Sequence, residues 1–234
     1  MRESILQLSA ISERDREIIN HVARYRLTTT SVLCSPQLLD LTPRAARKTL
    51  RRLSELEYIA SYPLIHPLRY YVLGKRATKA LGLTSHRSFP LGPQSLPTEY
   101  ATLIHATQAK QPRQRLKRAE VLSHYPWLPK PLATATHCRE SMSGIIELVR
   151  VDLGGTPDHI VRKCVRDLHA RLCISEFVPV VRSGQFRLVI VTATAEKGTA
   201  LRQAIDRHEL PVGLPIHFSI VPQLLSLTTR QHDA

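Results

Sequence analysis

Nine consecutive positions, Arg44 to Arg52, hold four arginines and one lysine: Arg44, Arg47, Lys48, Arg51 and Arg52. Guanidinium and ammonium groups bind phosphate and carboxylate oxygens through charge-assisted hydrogen bonds. Ala46, Leu50, Leu53 and Leu56 recur among and after them at intervals of three and four, the spacing of one helical face. The segment therefore predicts a helix with a buried apolar stripe and a cationic outer face, since burying unpaired cations costs several kcal/mol each. No acid before Glu55 stands at a compensating helical spacing. A merely solvated face, or one that docks acidic protein or lipid, would share this charge pattern, so the surrounding elements have to discriminate.

Those elements have a recognisable order. Ser12, Glu13 and Asp15 have the composition of a helix start, and Ile18, Ile19, Val22 and Tyr25 supply its apolar face to about Arg26. "LTTTSVLCSPQLL" predicts a shorter helix that Pro36 limits or kinks. Thr42 is suited to cap the third helix and Pro43 to open it. "YIASYPLIHPLRYYVLG" predicts two strands joined by a turn at His66 and Pro67, and "KRATKALGL" a short closing helix. This is the order of a winged helix-turn-helix over residues 1–83, whose third helix enters the major groove while the hairpin touches the backbone. The expected DNA contacts are Arg44 and Arg47 at guanine edges, and Lys48, Arg51, Arg52 and the wing residue Arg69 at phosphates. Thr42, His66 and Lys75 complete the expected DNA-binding set.

Composition points the same way. The 234 residues include 33 Lys plus Arg against 19 Asp plus Glu, a formal net charge of +14, which favours a polyanionic partner. No apolar run approaches the roughly 18 to 20 residues a bilayer requires, and "MRESILQLSAISERDREII" reaches acids too early for a signal peptide. The expectation is a cytoplasmic protein without membrane attachment. Cys34, Cys138, Cys164 and Cys173 are too scattered for a disulfide framework and are expected as free thiols. Cys164, His169 and Cys173 lack the Cys-x-x-Cys pair that anchors a zinc site and fit a partly buried helix instead, so no metal is expected there.

Residues 84–98, "TSHRSFPLGPQSLPT", combine Pro, Gly and Ser without periodicity and predict a linker. Residues 99–234 then predict an α/β domain. "TEYATLIHATQA" and "RQRLKRAEVLSHY" are expected as helices, the second with a basic cluster at Arg113, Arg115, Lys117 and Arg118 that either extends a nucleic-acid surface or is simply solvated. Strand "GIIELVRVDL" is followed by helix "DHIVRKCVRDLHARL" with Ile160, Val161, Val165 and Leu168 inward. Strand "FRLVIVTATA", helix "KGTALRQAIDRHEL" and strand "IHFSIVP" close the chain, so the fold class is α/β (α+β).

The segments "ISERDREIINHVARYRLTTTSVL", "TPRAARKTLRRLSELEYIA" and "RYYVLGKRATKAL" resemble the winged-helix half of the replication-relaxation proteins of plasmids and other mobile elements. "ELVRVDLGGTPDHIVRKCVRDLHARL" and "FRLVIVTATAEKGTALRQAI" are similar in arrangement to that family's second half, which the resemblance implies is a restriction-endonuclease-like fold. Nucleases of that kind hold a divalent ion with two or three carboxylates and set a lysine beside the attacking water. The family pattern is incomplete here: "LPKPLA" places Lys130 where an acid is wanted, and "ELVRVD" has no acid-x-Lys. Glu147, Asp152 and Lys163 are the candidates if the domain cuts, with Mg or Mn needed only then. Glu147 and Asp152, five residues apart, fall on opposite faces of an ideal strand. There is no phosphate loop, "DLGGTPD" reading as a turn, so enzyme activity is disfavoured and no cofactor is expected. The expectation is a reader of double-stranded DNA acting by occupancy in transcription or in plasmid or mobile-element replication control. The alternative is a metal-dependent nickase or relaxase in plasmid mobilisation. Mobilisation or replication proteins are then natural partners, and a palindromic target would require a homodimer.

Overall fold

Ser12 opens the first helix as its sequence suggests: the hydroxyl accepts from the Asp15 amide, and α1 runs Glu13–Tyr25. The computed structural model describes residues 11–109, 111–208 and 214–229. It is a mixed α/β chain with ten α-helices and two sheets among these residues, divided into one unit up to Gln108 and another from Ala109.

In the first unit, β1 (Thr28–Thr29) leads into α2 (Thr30–Leu33), a single turn capped by the Thr29 hydroxyl. A turn through Ser35–Asp40 follows it, so the second helix is shorter than "LTTTSVLCSPQLL" suggests. Helix α3 (Pro43–Glu55) has Thr42 as its cap, accepting from the Ala45 amide, with Pro43 at the first position. Strands β2 (Ile59–Pro63) and β3 (Arg69–Leu73) form the hairpin, β1 joins on the far side of β3, and the sheet order is β1-β3-β2, all antiparallel. Helix α4 (Lys75–Ala80) follows.

Ile18, Ile19 and Val22 of α1, Leu33 of α2, Ala46, Leu50 and Leu53 of α3, and Tyr58, Ile59 and Leu73 of the sheet make one core. Leu56 was expected in the stripe but is 40% exposed. It lies one residue past the last turn of α3, where Glu57 adopts a positive φ and turns the chain so that Tyr58 takes the buried place. The turn is hooked to Gly74, whose amide donates to the Tyr58 carbonyl. A Cβ at Gly74 would sit 2.1 Å from the Glu57 carbonyl oxygen, so only glycine fits.

Residues 84–98, expected as a linker, are held within this unit. The Tyr62 hydroxyl donates to the Ser88 carbonyl, the Tyr70 hydroxyl accepts from the Leu91 amide, and Arg87 donates to the Ala23 carbonyl. Helix α5 (Ser95–Thr107) begins inside the expected linker and packs against α1, which moves the division to Gln108/Ala109. Local composition gave no sign of these tethers because each is a single long-range hydrogen bond.

The second unit carries a five-stranded sheet, β4 (Arg113–Arg115), β5 (His137–Glu140), β6 (Ile146–Val151), β7 (Phe186–Thr192) and β8 (Ile216–Ile220), paired in that order. Strands β4 to β6 are antiparallel neighbours, whereas β6, β7 and β8 are parallel. Parallel neighbours need crossovers, which α7 (Pro157–Leu172) and α9 (Ala195–Ile205) supply, with α8 (Phe177–Arg182) between α7 and β7. Helix α6 (Arg118–His124) lies between β4 and β5, and α10 (Gln223–Thr229) follows β8. Ile146 and Leu148 of β6 and Phe186, Leu188 and Ile190 of β7 share a core with Val121, Ile160, Val161, Cys164, Leu168, Phe177 and Leu201. The alternate residues Glu147, Val149, Arg187, Val189 and Val191 are on the opposite face, as a period of two requires. Segment "RQRLKRAEVLSHY" is not one helix. Arg113 to Arg115 pair with Glu140 to Cys138 as a strand, and the helix starts only at Arg118, where the Glu120 carboxylate accepts from the Lys117 amide. Val165, expected inward on α7, is half-buried.

Candidate nucleic-acid interface

Because Ala46, Leu50 and Leu53 fix the inward face of α3, the helical period turns Arg44, Arg47, Lys48 and Arg51 outward. All four are exposed and line one open depression. Arg44, Arg47 and Lys48 form no ion pair with another described residue. Arg51 has a partner in Glu55, one turn on at 3.7 Å, but both side chains are open to solvent and such a pair is weak.

Arg52 behaves differently from its neighbours. Its Nη2 donates to both carboxylate oxygens of Asp15, at 2.6 and 2.8 Å. Asp15 is fully buried, and the Arg52 side chain is half exposed. Asp15 does more than favour the first turn of α1: it binds α1 to α3 and claims the fifth cation of the basic segment. Sequence reasoning missed this because no helical spacing relates residues on different helices.

The remaining predicted residues are dispersed around the hairpin and helix ends. Thr42 is exposed, with its hydroxyl engaged as the α3 cap. His66 is exposed in the turn of the hairpin, next to a cis peptide bond to Pro67. Arg69 is exposed at the start of β3. Its Nε donates to the Ser61 hydroxyl at 2.6 Å and its Nη2 to the Ser61 carbonyl at 3.1 Å, fixing the side chain across the hairpin. Lys75 is exposed at the first position of α4, and Arg76 beside it lies over the Tyr58 ring at 4.9 Å.

The three residues expected together if the second unit were a nuclease are not brought together. Glu147 is completely buried and faces Arg187 across β6 and β7, while Arg113 faces Glu140 across β4 and β5. Arg113 Nε lies 2.9 Å from both Glu147 oxygens, and Arg187 donates to Glu147 and, at 2.8 Å, to Glu140. Two acids and two guanidinium groups thus form a closed, balanced cluster across four strands. Burial pushes the Glu140 carboxyl up, but the hydrogen bonds from Ser143 and Arg187 and the charges of Arg187 and Arg113 outweigh it and hold it below the usual value.

Asp152 lies one residue beyond β6. One oxygen accepts from the Gly154 amide at 3.1 Å, the other lies 3.5 Å from the Thr192 hydroxyl and 3.9 Å from Lys197 Nζ. Burial raises its carboxyl above the usual value, and Lys197 and these hydrogen bonds only partly oppose that. Lys197 also donates to the Gly155 carbonyl, so the group latches the β6–α7 loop to the start of α9. Lys163 is exposed on α7 beside His159, Arg162 and Arg166. Glu147 therefore has guanidinium groups where a metal would need open carboxylate oxygens, and no cluster of three His, Cys, Asp or Glu suited to a metal occurs among the described residues.

The basic cluster foreseen at Arg113, Arg115, Lys117 and Arg118 is likewise divided: Arg113 is drawn into the buried ion cluster, while Lys117 and Arg118 remain exposed. The four cysteines are free thiols, and Cys164 is buried in the core while Cys173 is exposed. No helix among the described residues is long and apolar enough to cross a membrane. Comparison with protein-family models, curated proteins and solved structures finds no match to this chain.

Proposed function

We propose that the chain reads double-stranded DNA through a winged helix-turn-helix in its first unit, with α3 in the major groove and the β2–β3 hairpin as wing. The observation that carries this reading is the exposed row Arg44, Arg47, Lys48 and Arg51 over the buried stripe of the same helix. Four cations on one rigid face, with one weak solvent-exposed pair among them, favour a polyanion. The order α1, α2, α3, hairpin, with β1 closing the sheet beside β3, is that of winged DNA readers and supports the same assignment.

In this reading Arg44 and Arg47, in the first turns of α3, reach base edges, and Lys48, Arg51 and Arg69 hold phosphates. His66 and Lys75 flank the duplex, and Thr42 contributes by capping. Arg52 is removed from the contact set and given a structural role. The second unit is read as a restriction-endonuclease-like layer whose acids are committed to arginines, acting as a platform rather than a catalyst. The function is then occupancy of a site in transcription or in replication control of a plasmid or mobile element, in line with the resemblance to replication-relaxation proteins.

Selecting bound fragments from genomic and plasmid DNA, then titrating the recovered site, tests this. Arg47→Ala should relax sequence preference by about 1–3 kcal/mol at one base position, whereas Arg51→Ala should weaken all sequences alike. Wild-type affinity for every duplex in both variants would overturn the reading.

A further inference from the structure

We propose that the outer face of α7 is a second phosphate-binding surface, one for duplex nucleic acid; the proposal rests on the DNA-binding reading above. His159, Arg162, Lys163 and Arg166 stand at i, i+3, i+4 and i+7, all are exposed, and they line one open depression. The row is about 10 Å long, at 1.5 Å per helical residue. A duplex of that length presents about six phosphate charges.

An acid one turn away on the helix could pair with such a row and weaken its pull on a polyanion. Helix α7 has two acids, and neither forms an ion pair with the row. Asp167 is turned toward Arg150 and Arg171, the latter at 2.5 Å. Asp158 lies 3.9 Å from Arg207 of the segment after α9. Arg162 Nε donates to the Asp158 carbonyl, which steadies the guanidinium while leaving its terminal nitrogens for a ligand. No ion pair links Arg162, Lys163 or Arg166 to another described residue.

Phosphate on a nucleic acid is favoured over a lipid surface by the other side of the helix. Ile160, Val161, Cys164 and Leu168 are locked in the core of the second unit, so α7 has no apolar face to lay into a bilayer. Lys163 thereby acquires a role as a phosphate contact in place of the catalytic one the nuclease pattern suggested.

The experiment is a titration of a labelled mixed-sequence duplex, several helical turns long, over a series of KCl concentrations. It compares the wild-type chain with Arg162→Ala/Lys163→Ala/Arg166→Ala, with Arg47→Ala/Lys48→Ala/Arg51→Ala, and with the charge-matched control Lys130→Ala/Arg139→Ala/Arg182→Ala. Each variant's melting curve is recorded, with Gln replacing Ala in any variant that melts early. The α7 variant should lower the slope of log affinity against log salt by about two to three, at about 0.9 per phosphate contact, while the control changes it little. An α7 variant indistinguishable from the control, beside an α3 variant that has lost binding, overturns the proposal and leaves the DNA-binding reading intact. A wild-type chain that does not bind the duplex sinks that reading, and this inference with it. Vesicles of anionic lipid or an acidic peptide captured through α7, with duplex affinity unaffected, would also overturn it.

Discussion

Asp15, at the start of α1, and Arg52, in the last turn of α3, form a two-oxygen bridge in which the carboxylate is fully buried and the guanidinium half exposed. The pair joins two helices of the core and separates Arg52 from the four cations that face outward.

Arg52→Ala leaves the Asp15 carboxylate buried beside a partly hydrated gap. The expected loss is about 1–3 kcal/mol of unfolding free energy, less than for a fully enclosed pair because water reaches the arginine side. Denaturant unfolding should show a lower midpoint with an unchanged slope. Arg51→Ala, one residue away, should leave that midpoint within about 0.5 kcal/mol of wild type and instead reduce the salt slope of DNA binding by about one.

Arg187→Ala removes the guanidinium that serves both Glu140 and Glu147. Two buried carboxylates are then left to Arg113 alone, and the expected cost is about 3–5 kcal/mol. The Glu140 carboxyl is held below its ordinary 4.5 in the folded chain, so its contribution to stability is present above that value and is lost as pH falls through the lower folded value. As pH falls below the ordinary 4.5, unfolding free energy should therefore change less steeply with pH for Arg187→Ala than for wild type.

Two buried histidines add a second acid sensitivity at higher pH. Burial holds His21 in the first unit and His137 in the second down at about 4, from an ordinary 6.5; the nearby Arg171 charge also lowers His137. Between those values the unfolded chain binds the protons and the folded chain does not, so stability rises with pH from about 4 to 6.5. Each site supplies roughly 3 kcal/mol across that window. His21→Gln and His137→Gln should each flatten part of the profile measured by unfolding at successive pH values.

Gly74→Ala tests the hook behind the basic helix. Its new methyl group would meet the Glu57 carbonyl at 2.1 Å, against backbone that is itself fixed by the Arg76 amide. A loss of about 1–3 kcal/mol is expected, read as a lower denaturant midpoint. On the DNA-binding reading, affinity measured on the remaining folded fraction should fall as well, because Glu57 lies only two residues past α3.

The longer elements of the first unit were legible because their signals are local. Thr42, Pro43 and the recurrence of Ala46, Leu50 and Leu53 define α3 within one segment, and the aromatic and branched residues around Tyr70 define the hairpin. Strands β6 and β7 were legible as dense runs of branched residues. The short elements were not: β1 is two residues long, β5 reads "HCRE", and β4 reads "RQR" with no apolar residue, so each is a strand only through its neighbour. Helices α8 and α10 also went unread.

The sequence by itself determined which residues could present charge, since helical and strand periods are properties of neighbours along the chain. Only the tertiary structure decided which of those charges stay open. Asp15 and Arg52 are 37 residues apart, Arg113 and Glu147 are 34, and Glu147 and Arg187 are 40. Such partners meet through helix packing and strand register, and desolvation makes the meeting obligatory, because a buried carboxylate without a cation would be too costly to keep.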